Sequence, residues 1–141
     1  RLVKNRADFL LTADSNNTNH IFNIVAKDTL IQDPIKLFFS DENTFEKCDS
    51  KSVLLDKKKL KFPLILRKWK QSDYFYPYGM QGKKKLSKYF KDEKYSLLDK
   101  EAQWLLCSGE EIVWIIGKRA DRRFLAHEKT QKKWLVRHED I

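Results

Sequence analysis

Two apolar runs separated by a glycine-containing turn place the strongest constraint on how this chain can fold. The first run is WLLC at residues 104–107, the turn is SGEE at 108–111, and the second run is IVWII at 112–116. Short apolar runs joined by such a turn predict a β-hairpin. Because both arms are apolar on successive residues, neither face suits water, and we expect the hairpin to lie in the middle of the core.

Other segments have the pattern of strands, and one has the pattern of a helix. Residues 84–91 place Leu86, Tyr89 and Phe90 at i, i+3 and i+4, which predicts a short helix with an apolar stripe and lysines on its free face. The chain as a whole is therefore predicted to be α+β, with a small sheet or β-sandwich core and one or two short helices. The predicted strands are residues 1–12, 20–27, 35–39, 53–56, 64–67 and 133–137.

Length and composition limit the classes of protein to which the chain can belong. Its 141 residues suit one domain, or one domain with a short appended element. It has no apolar run long enough to span a membrane and no signal-peptide pattern at its start, so we expect a cytoplasmic protein. The N-terminus has no initiator methionine and looks like a cut made in a longer polypeptide.

The cysteines and histidines do not form a recognisable metal site. Cys48 and Cys107 are far apart, with no CxxC or Cys/His spacing around them, which argues against zinc. We expect both to be thiols buried in a reducing compartment. His20, His127 and His138 are scattered and are interpreted as surface or structural residues.

Basic residues are concentrated in one window of the sequence. Residues 57–91 hold twelve lysines and arginines and one acid, Asp73, a net charge of +11 against +9 for the whole chain. A concentrated field of this kind can steer an anionic partner. Between residues 67 and 88 the cations are interleaved with aromatic residues, a pattern that favours nucleic-acid binding. The lysine run at 57–59 has no aromatic neighbours and is interpreted as a solvated face.

No set of residues in the sequence has the composition of a catalytic site. Gly79 and Gly82 bracket a turn that lacks the phosphate-loop motif, so they either let backbone N–H groups face a phosphate or supply positive φ. Asp73 is expected to form an ion pair with Arg67 or Lys70. Since no nucleophile, base and orienting group occur together, the chain by itself is not predicted to be an enzyme.

An ordered series of motifs lies between residues 62 and 124. It consists of Leu66-Arg67, Trp69, Asp73, Pro77, Gly79-Met80, Gly82, Lys84-Lys85-Leu86, Phe90, Glu111-Ile112-Val113-Trp114, Gly117 and Arg119. The series resembles the C-terminal domain of bacterial tRNA(Ile)-lysidine synthetase. Ser72 departs from the family pattern, which has glycine before the aspartate.

The resemblance implies a function for the polypeptide from which the chain would come. Such enzymes use ATP to join lysine to the wobble cytidine of isoleucine tRNA, and their N-terminal domain carries an SGGxDS motif. That motif does not occur here. ATP with Mg²⁺ would thus belong to the missing catalytic domain, and the fragment itself would need no cofactor or metal and be inactive alone.

The same resemblance implies a division of the chain and a set of partners. Residues 1–56 would be a β-rich connecting segment, and residues 57–141 would form the tRNA-binding domain. The expected partners are the acceptor-stem region of isoleucine tRNA and the parent enzyme's N-terminal catalytic domain, with a homodimer as a further state and no membrane.

Ten residues are carried over as candidate contacts to the tRNA. For Trp69 a core role is the alternative, and the commoner one for this residue type. All the cations must converge on one outward-facing side for the hypothesis to hold. Phosphate contacts are assigned to Arg67, Lys70, Lys83, Lys84, Lys85, Lys88 and Arg119, and sugar or terminal-base contacts to Trp69, Tyr74 and Tyr76.

Two other functions are compatible with the same residues. In a protein-docking or self-association domain, the aromatic residues at 74–78 would form an apolar patch that the lysines keep soluble. In a general binder of anionic surfaces such as membranes, the basic helix would be the anchor, but its shortness argues against this.

Overall fold

The computed structural model describes residues 21–42 and 51–139, which form two antiparallel sheets, a two-stranded ribbon and two short helices. The strand at 1–12, His20 and Cys48 lie outside these residues. The strands are β1 (Phe22–Ile24), β2 (Leu30–Ile31), β3 (Lys36–Glu42), β4 (Ser52–Asp56), β5 (Leu64–Arg67), β6 (Tyr74–Phe75), β7 (Lys84–Lys85), β8 (Leu105–Ser108), β9 (Glu111–Ile115), β10 (Arg119–Ala120) and β11 (Lys133–Glu139). The helices are α1 (Leu86–Asp92) and α2 (Leu97–Ala102).

The predicted central hairpin is confirmed. Strands β8 and β9 pair antiparallel, with Gly109 in the turn at φ 62°. The first sheet has the order β1-β5-β8-β9-β10, so both arms of the hairpin have neighbours on either side. All residues of β8, and all of β9 except Glu111, are buried. The continuous apolar runs thus correspond to strands that are covered on both faces.

The second sheet shares a hydrophobic cluster with the first. Its order is β2-β3-β11-β4, with β11 paired to β3 over seven positions. Trp134 of β11 stacks on Phe39 at a centroid distance of 5.0 Å and meets the edge of Phe62 at 5.3 Å. The cluster also contains Leu64 and Leu66 of the first sheet, so the two sheets stabilise one another through it.

The opposite face of the first sheet is covered by α1 and the β6–β7 ribbon. Leu86, Tyr89 and Phe90 are buried, as the helical stripe predicts, and they pack with Phe75 against the central hairpin. The helix begins at Leu86, two residues later than predicted, because Lys84–Lys85 pair with β6 as a strand. With two sheets and two short helices, the predicted α+β class is confirmed.

Helix α2 has no apolar stripe, and the sequence pattern did not locate it. Its signal is a capping box: the Ser96 hydroxyl accepts from the Asp99 N–H, and the Asp99 carboxylate accepts from the Ser96 N–H. Leu97 and Leu98 are 71% and 76% exposed. This helix is therefore specified by its cap and not by a buried face.

Three further features of the fold bear on function. Cys107 is a buried free thiol, as predicted, and burial raises its pKa to about 12. Among the described helices none is long and apolar enough to cross a membrane. Strands β1 and β3 pair with β5 and β11 respectively, so both sheets combine strands from before and after residue 57. The domain division at that residue stays a prediction.

Candidate nucleic-acid interface

A buried ion pair closes the loop that leads out of β5. Arg67 donates from Nη1 to Asp73 Oδ2 at 2.8 Å and from Nη2 to Asp73 Oδ1 at 2.9 Å, so the predicted Arg67–Asp73 pairing is confirmed. Asp73 Oδ2 also accepts from the Lys70 N–H at 2.7 Å. Burial lowers the pKa of Arg67, but the hydrogen bond and charge of Asp73 outweigh it and leave the pKa above its ordinary value.

The role predicted for Arg67 as a phosphate contact needs correction. The residue is 5% exposed, and its guanidinium is held by Asp73 and by the carbonyl of Lys68. To reach a phosphate, it would have to leave a buried carboxylate without its charged partner, which is strongly unfavourable. Arg67 instead fixes the loop on which Lys70 is exposed to solvent.

Trp69 and Lys68 of the same loop contact the interior. Trp69 is half-buried, and its ring meets the edge of Phe90 at a centroid distance of 5.1 Å, in keeping with the core alternative for this residue. The Lys68 ammonium lies 4.1 Å from the centroid of Trp104 and donates to the carbonyl of Glu101 at 2.5 Å. Burial lowers the pKa of Lys68, and the charge of Glu101 opposes this shift.

The side chains of the tyrosine-rich segment at 74–78 alternate between the interior and the surface. Phe75 and Pro77 are buried, whereas Tyr74 and Tyr78 are 44% and 63% exposed. Tyr76 lies between them and is half-buried. This is the period of two that an extended strand requires. The chain thus presents three tyrosines on one side while anchoring itself through the residues between them.

Residues 119–123 hold this tyrosine segment in place. The Tyr78 N–H donates to the Ala120 carbonyl at 3.0 Å, and the Arg122 N–H donates to the Tyr76 carbonyl at 2.8 Å. Asp121, which is fully buried, accepts from the Tyr76 N–H at 2.9 Å. The basic segment after the hairpin therefore lies directly beside the tyrosines.

Three arginines of this segment contact the tyrosines or their loop. Arg119 Nη1 donates to the Tyr78 carbonyl and Arg122 Nε to the Met80 carbonyl, both at 3.2 Å. The guanidinium carbons of Arg122 and Arg123 lie 5.2 Å and 4.1 Å from the Tyr76 ring centroid. Of these arginines, only Arg119 was among the predicted site residues. Four cations in the eight residues 117–124 were the available signal for the other two.

Arg123 differs from its neighbours because carboxylates already neutralise it. It donates to Asp121 through Nε at 3.0 Å and Nη2 at 2.9 Å, and through Nη1 to Glu111 at 2.8 Å. Burial lowers its pKa, but the Asp121 hydrogen bond and charge outweigh this effect, and the pKa is raised. Arg123 thus serves to cover Tyr76 and to tie it to Asp121.

Lys83, Lys84 and Lys85 alternate between exposed and half-buried, as the period of two along a strand requires. Lys85 opposes Tyr74 in the ribbon and is exposed, and the exposed Lys83 places its ammonium 4.6 Å from the Tyr74 ring centroid. The Lys84 side chain is only 17% exposed and lies 2.6 Å from Asp92. Lys88 lies 3.7 Å from the same carboxylate. The hydrogen bond from Lys84 is the main reason that the pKa of Asp92 is below its ordinary value.

The geometry therefore brings together a smaller set of residues than the ten predicted. Among the described residues, several cations near the tyrosines have no carboxylate within salt-bridge distance, so their charge is not locally neutralised. Gly79 and Gly82, with φ of 84° and 74°, shape the loop between them, which supports their conformational role. We call the following set the tyrosine surface: Tyr74, Tyr78, Lys83, Lys85, Arg119 and Arg122.

No metal site accompanies this surface: the described residues contain no cluster of three or more His, Cys, Asp or Glu side chains that could hold a metal ion.

Comparison with known proteins gives a family model and several curated relatives that match this chain. Residues 64–137 match the family model described as the TilS substrate C-terminal domain. The tRNA(Ile)-lysidine synthase of Parabacteroides distasonis is 40% identical over 141 residues, covering 96% of this chain and 32% of that protein. The corresponding protein of Bacteroides thetaiotaomicron is 45% identical over 84 residues, covering 60% of this chain and 20% of that protein. The chain thus spans about a third or less of the length of these relatives.

A solved structure has the same fold. It is titled "Crystal structure of TILS C-terminal domain", and it superposes with a TM-score of 0.71 at 15% sequence identity. The match covers 86% of this chain and 98% of the solved chain.

Proposed function

The chain belongs to the TilS substrate C-terminal domain family, and on this premise we propose that it is the tRNA-binding part of an ATP-dependent ligase that joins lysine to the wobble cytidine of isoleucine tRNA. The observation that carries the proposal is the tyrosine surface. There, four cations without a carboxylate partner among the described residues lie on the segments that carry or contact two exposed tyrosines. When such cations neutralise phosphates, the RNA releases the counterions condensed on it, and this release favours binding.

The surface suits the backbone of a structured RNA. Double-stranded RNA is recognised mainly through its phosphates and 2′-hydroxyls, because its deep major groove is closed to side chains. The phosphate contacts would fix position and affinity and leave sequence choice to other contacts. The role of this chain is then to hold the acceptor-stem region of the tRNA while another domain performs the chemistry.

The rest of the enzyme follows from the same proposal. ATP and Mg²⁺ would be bound by the parent's N-terminal catalytic domain, which is also the chain's partner within the polypeptide. The 141-residue chain would bind tRNA and be inactive alone, and it would act in the cytoplasm. A homodimer stays a secondary expectation.

The proposal is tested by the salt dependence of binding to isoleucine tRNA. A Lys83→Ala/Arg122→Ala variant should bind more weakly than wild type, and its log–log slope against salt should be shallower by about 2, since each lost phosphate contact removes about 1. Fluorescence anisotropy between about 50 and 200 mM salt gives both quantities. An unchanged slope would contradict the proposed surface.

Two control variants distinguish the loss of cations on the tyrosine surface from a loss of overall positive charge, because each of them also removes two positive charges. Lys84→Ala/Lys88→Ala removes two cations that share the carboxylate of Asp92 and so are partly neutralised, and its slope should change less. Lys58→Ala/Lys59→Ala removes cations of the short 3₁₀ turn Lys57–Lys59, whose neighbours are Gln131 and Lys132. If all three variants lose affinity equally, net charge governs binding and the tyrosine surface has no special role.

A protein-docking function is the second candidate, because Tyr78 and Met80 are 63% and 45% exposed. Where exposed apolar side chains form a contiguous patch, the patch marks an interaction site. Sedimentation velocity over a range of concentrations distinguishes the two functions. Self-association that is indifferent to tRNA would favour docking.

A further inference from the structure

Tyr78 is the most exposed aromatic residue among those described, and its backbone is firmly held. The residue is 63% exposed. Its N–H donates to Ala120 at 3.0 Å, and its carbonyl accepts from Arg119 at 3.2 Å. The ring is therefore presented to solvent from a fixed backbone, which reduces the entropy that a ligand must remove on binding.

The other two tyrosines of the segment are less available. The guanidinium groups of Arg122 and Arg123 lie within 5.2 Å of the Tyr76 ring centroid. Tyr74 has the Lys83 ammonium 4.6 Å from its centroid and the edge of Tyr76 at 6.1 Å. For Tyr78, no ring or cation contact is present among the described residues.

Two arginines connect Tyr78 to the phosphate-binding part of the tyrosine surface. Arg119 is bonded to the carbonyl of Tyr78 itself, and Arg122 is bonded to that of Met80, two residues further on. Each guanidinium carries five N–H donors, so donors remain for a second acceptor. An exposed ring on the loop at 76–82 thus lies beside two cations with spare donors on the segment at 119–122.

We propose that Tyr78 stacks on an unpaired nucleobase of the bound RNA while Arg119 and Arg122 contact the adjoining phosphates. This inference rests on the proposed function and specifies its ligand as a junction between duplex and single strand. Inside an RNA duplex the base faces are covered by their neighbours, so an aromatic ring can stack only on an unpaired or terminal base. The flanking cations make an anionic partner better matched to this ring than an apolar protein surface.

The test compares two RNA hairpins that share one stem, one blunt and one with a short single-stranded 3′ extension. For the wild-type chain the extension should raise affinity about tenfold. Tyr78→Ala should lose this gain, whereas Tyr78→Phe should keep it, because the aromatic face remains. Neither substitution removes a cation, so both variants should show the wild-type salt slope on either hairpin. Leu97→Ala, which removes an exposed side chain of α2, is the control for a general loss of apolar surface.

Each outcome decides a different point. If the extension brings no gain to wild type, or if Tyr78→Ala keeps the gain, the stacking inference is overturned and the proposed function stands. If neither hairpin binds and tRNA does not bind, the proposed function itself fails. If Tyr78→Ala instead abolishes self-association in sedimentation and leaves RNA binding unchanged, the ring belongs to a protein interface, which also overturns the inference. Circular dichroism verifies that the variants are folded.

Discussion

The guanidinium of Arg67 and the carboxylate of Asp73 form two parallel hydrogen bonds, 2.8 Å and 2.9 Å long, between side chains that are 6% and 8% exposed. The pair joins the end of β5 to the start of β6. Beyond it, the Asp73 carbonyl accepts from the Leu86 N–H at the start of α1 at 3.0 Å. One residue thus connects the central sheet, the tyrosine segment and the helix.

Asp73→Ala should lower the free energy of unfolding by about 3–5 kcal/mol, because it leaves the buried Arg67 charge without a partner. Urea denaturation of the 141-residue chain measures this change. Replacing both partners, as Arg67→Met/Asp73→Leu, should cost less than the single change, because no buried charge remains.

Ser72→Ala is the control for the ion-pair prediction, since Ser72 is exposed beside Asp73 and its loss should stay within about 0.5 kcal/mol of wild type. A cost below about 1 kcal/mol for Asp73→Ala would mean that the pair contributes little to the fold.

Lys84→Met should raise the pKa of Asp92 toward the ordinary value of 3.8, because Lys84 supplies the main hydrogen bond that lowers it. A carboxylate with a lowered pKa stabilises the fold above its unfolded pKa and loses that contribution as the pH falls through the folded value. The variant should therefore lose less stability than wild type below about pH 3.8. NMR titration of the Asp92 carboxyl carbon gives the pKa directly.

Lys91→Met, on the helix that carries Asp92, is the control for the Asp92 prediction, because no salt bridge joins Lys91 to a described carboxylate. It should leave the Asp92 pKa where it is in wild type. Equal shifts in both variants would assign the lowered pKa to overall charge and not to the contact with Lys84.

Cys107 should make the fold less stable as the pH rises from 9 to 12. Burial raises its thiol pKa from 9.0 to about 12, so over this range the unfolded chain loses a proton that the folded chain keeps. Stability then falls with pH. In a Cys48→Ser background, Cys107→Ala should flatten this dependence in urea titrations at successive pH values. The slope is the readout, since the lost side-chain volume lowers stability at every pH.

Tyr89 also contributes to the pH dependence of stability at alkaline pH and therefore restricts the pH range in which Cys107 can be tested. Burial also raises the pKa of Tyr89, from 10.0 to about 12, so part of the alkaline slope remains in Cys107→Ala above pH 10. A variant whose slope between pH 9 and 10 equals that of wild type would show that the thiol does not contribute.

The parts of the fold that could be predicted depend on patterns within one segment. The central hairpin was recognisable because two apolar runs flank a glycine turn, and α1 because its stripe recurs with the helical period. The Arg67–Asp73 pair was one of two pairings open to the only acid in the basic window. In each case the partners lie within about ten residues of one another, so local sequence carried the information.

The candidate site could be predicted only in part. Lys84 and Lys85 are neighbours of the same type, yet Lys84 is paired with Asp92 and Lys85 is exposed opposite Tyr74. Arg122 and Arg123 lie beside Tyr76, 46 and 47 positions away in sequence, and only the pairing of distant segments brings them there. Arg67 has the same charge as the surface cations but lies in the interior.

The amino-acid sequence by itself determined the α+β class, the central hairpin, the amphipathic helix and the concentration of positive charge in one region, because these depend on periodicity and composition along the chain. Only the tertiary structure decided which cations retain an unneutralised charge and which aromatic ring is left open to a ligand. The physical reason is that burial and ion pairing depend on residues that folding brings together from distant segments. A lysine or a tyrosine has the same chemical structure at every position, but its burial and its neighbours in the folded chain decide what it can bind.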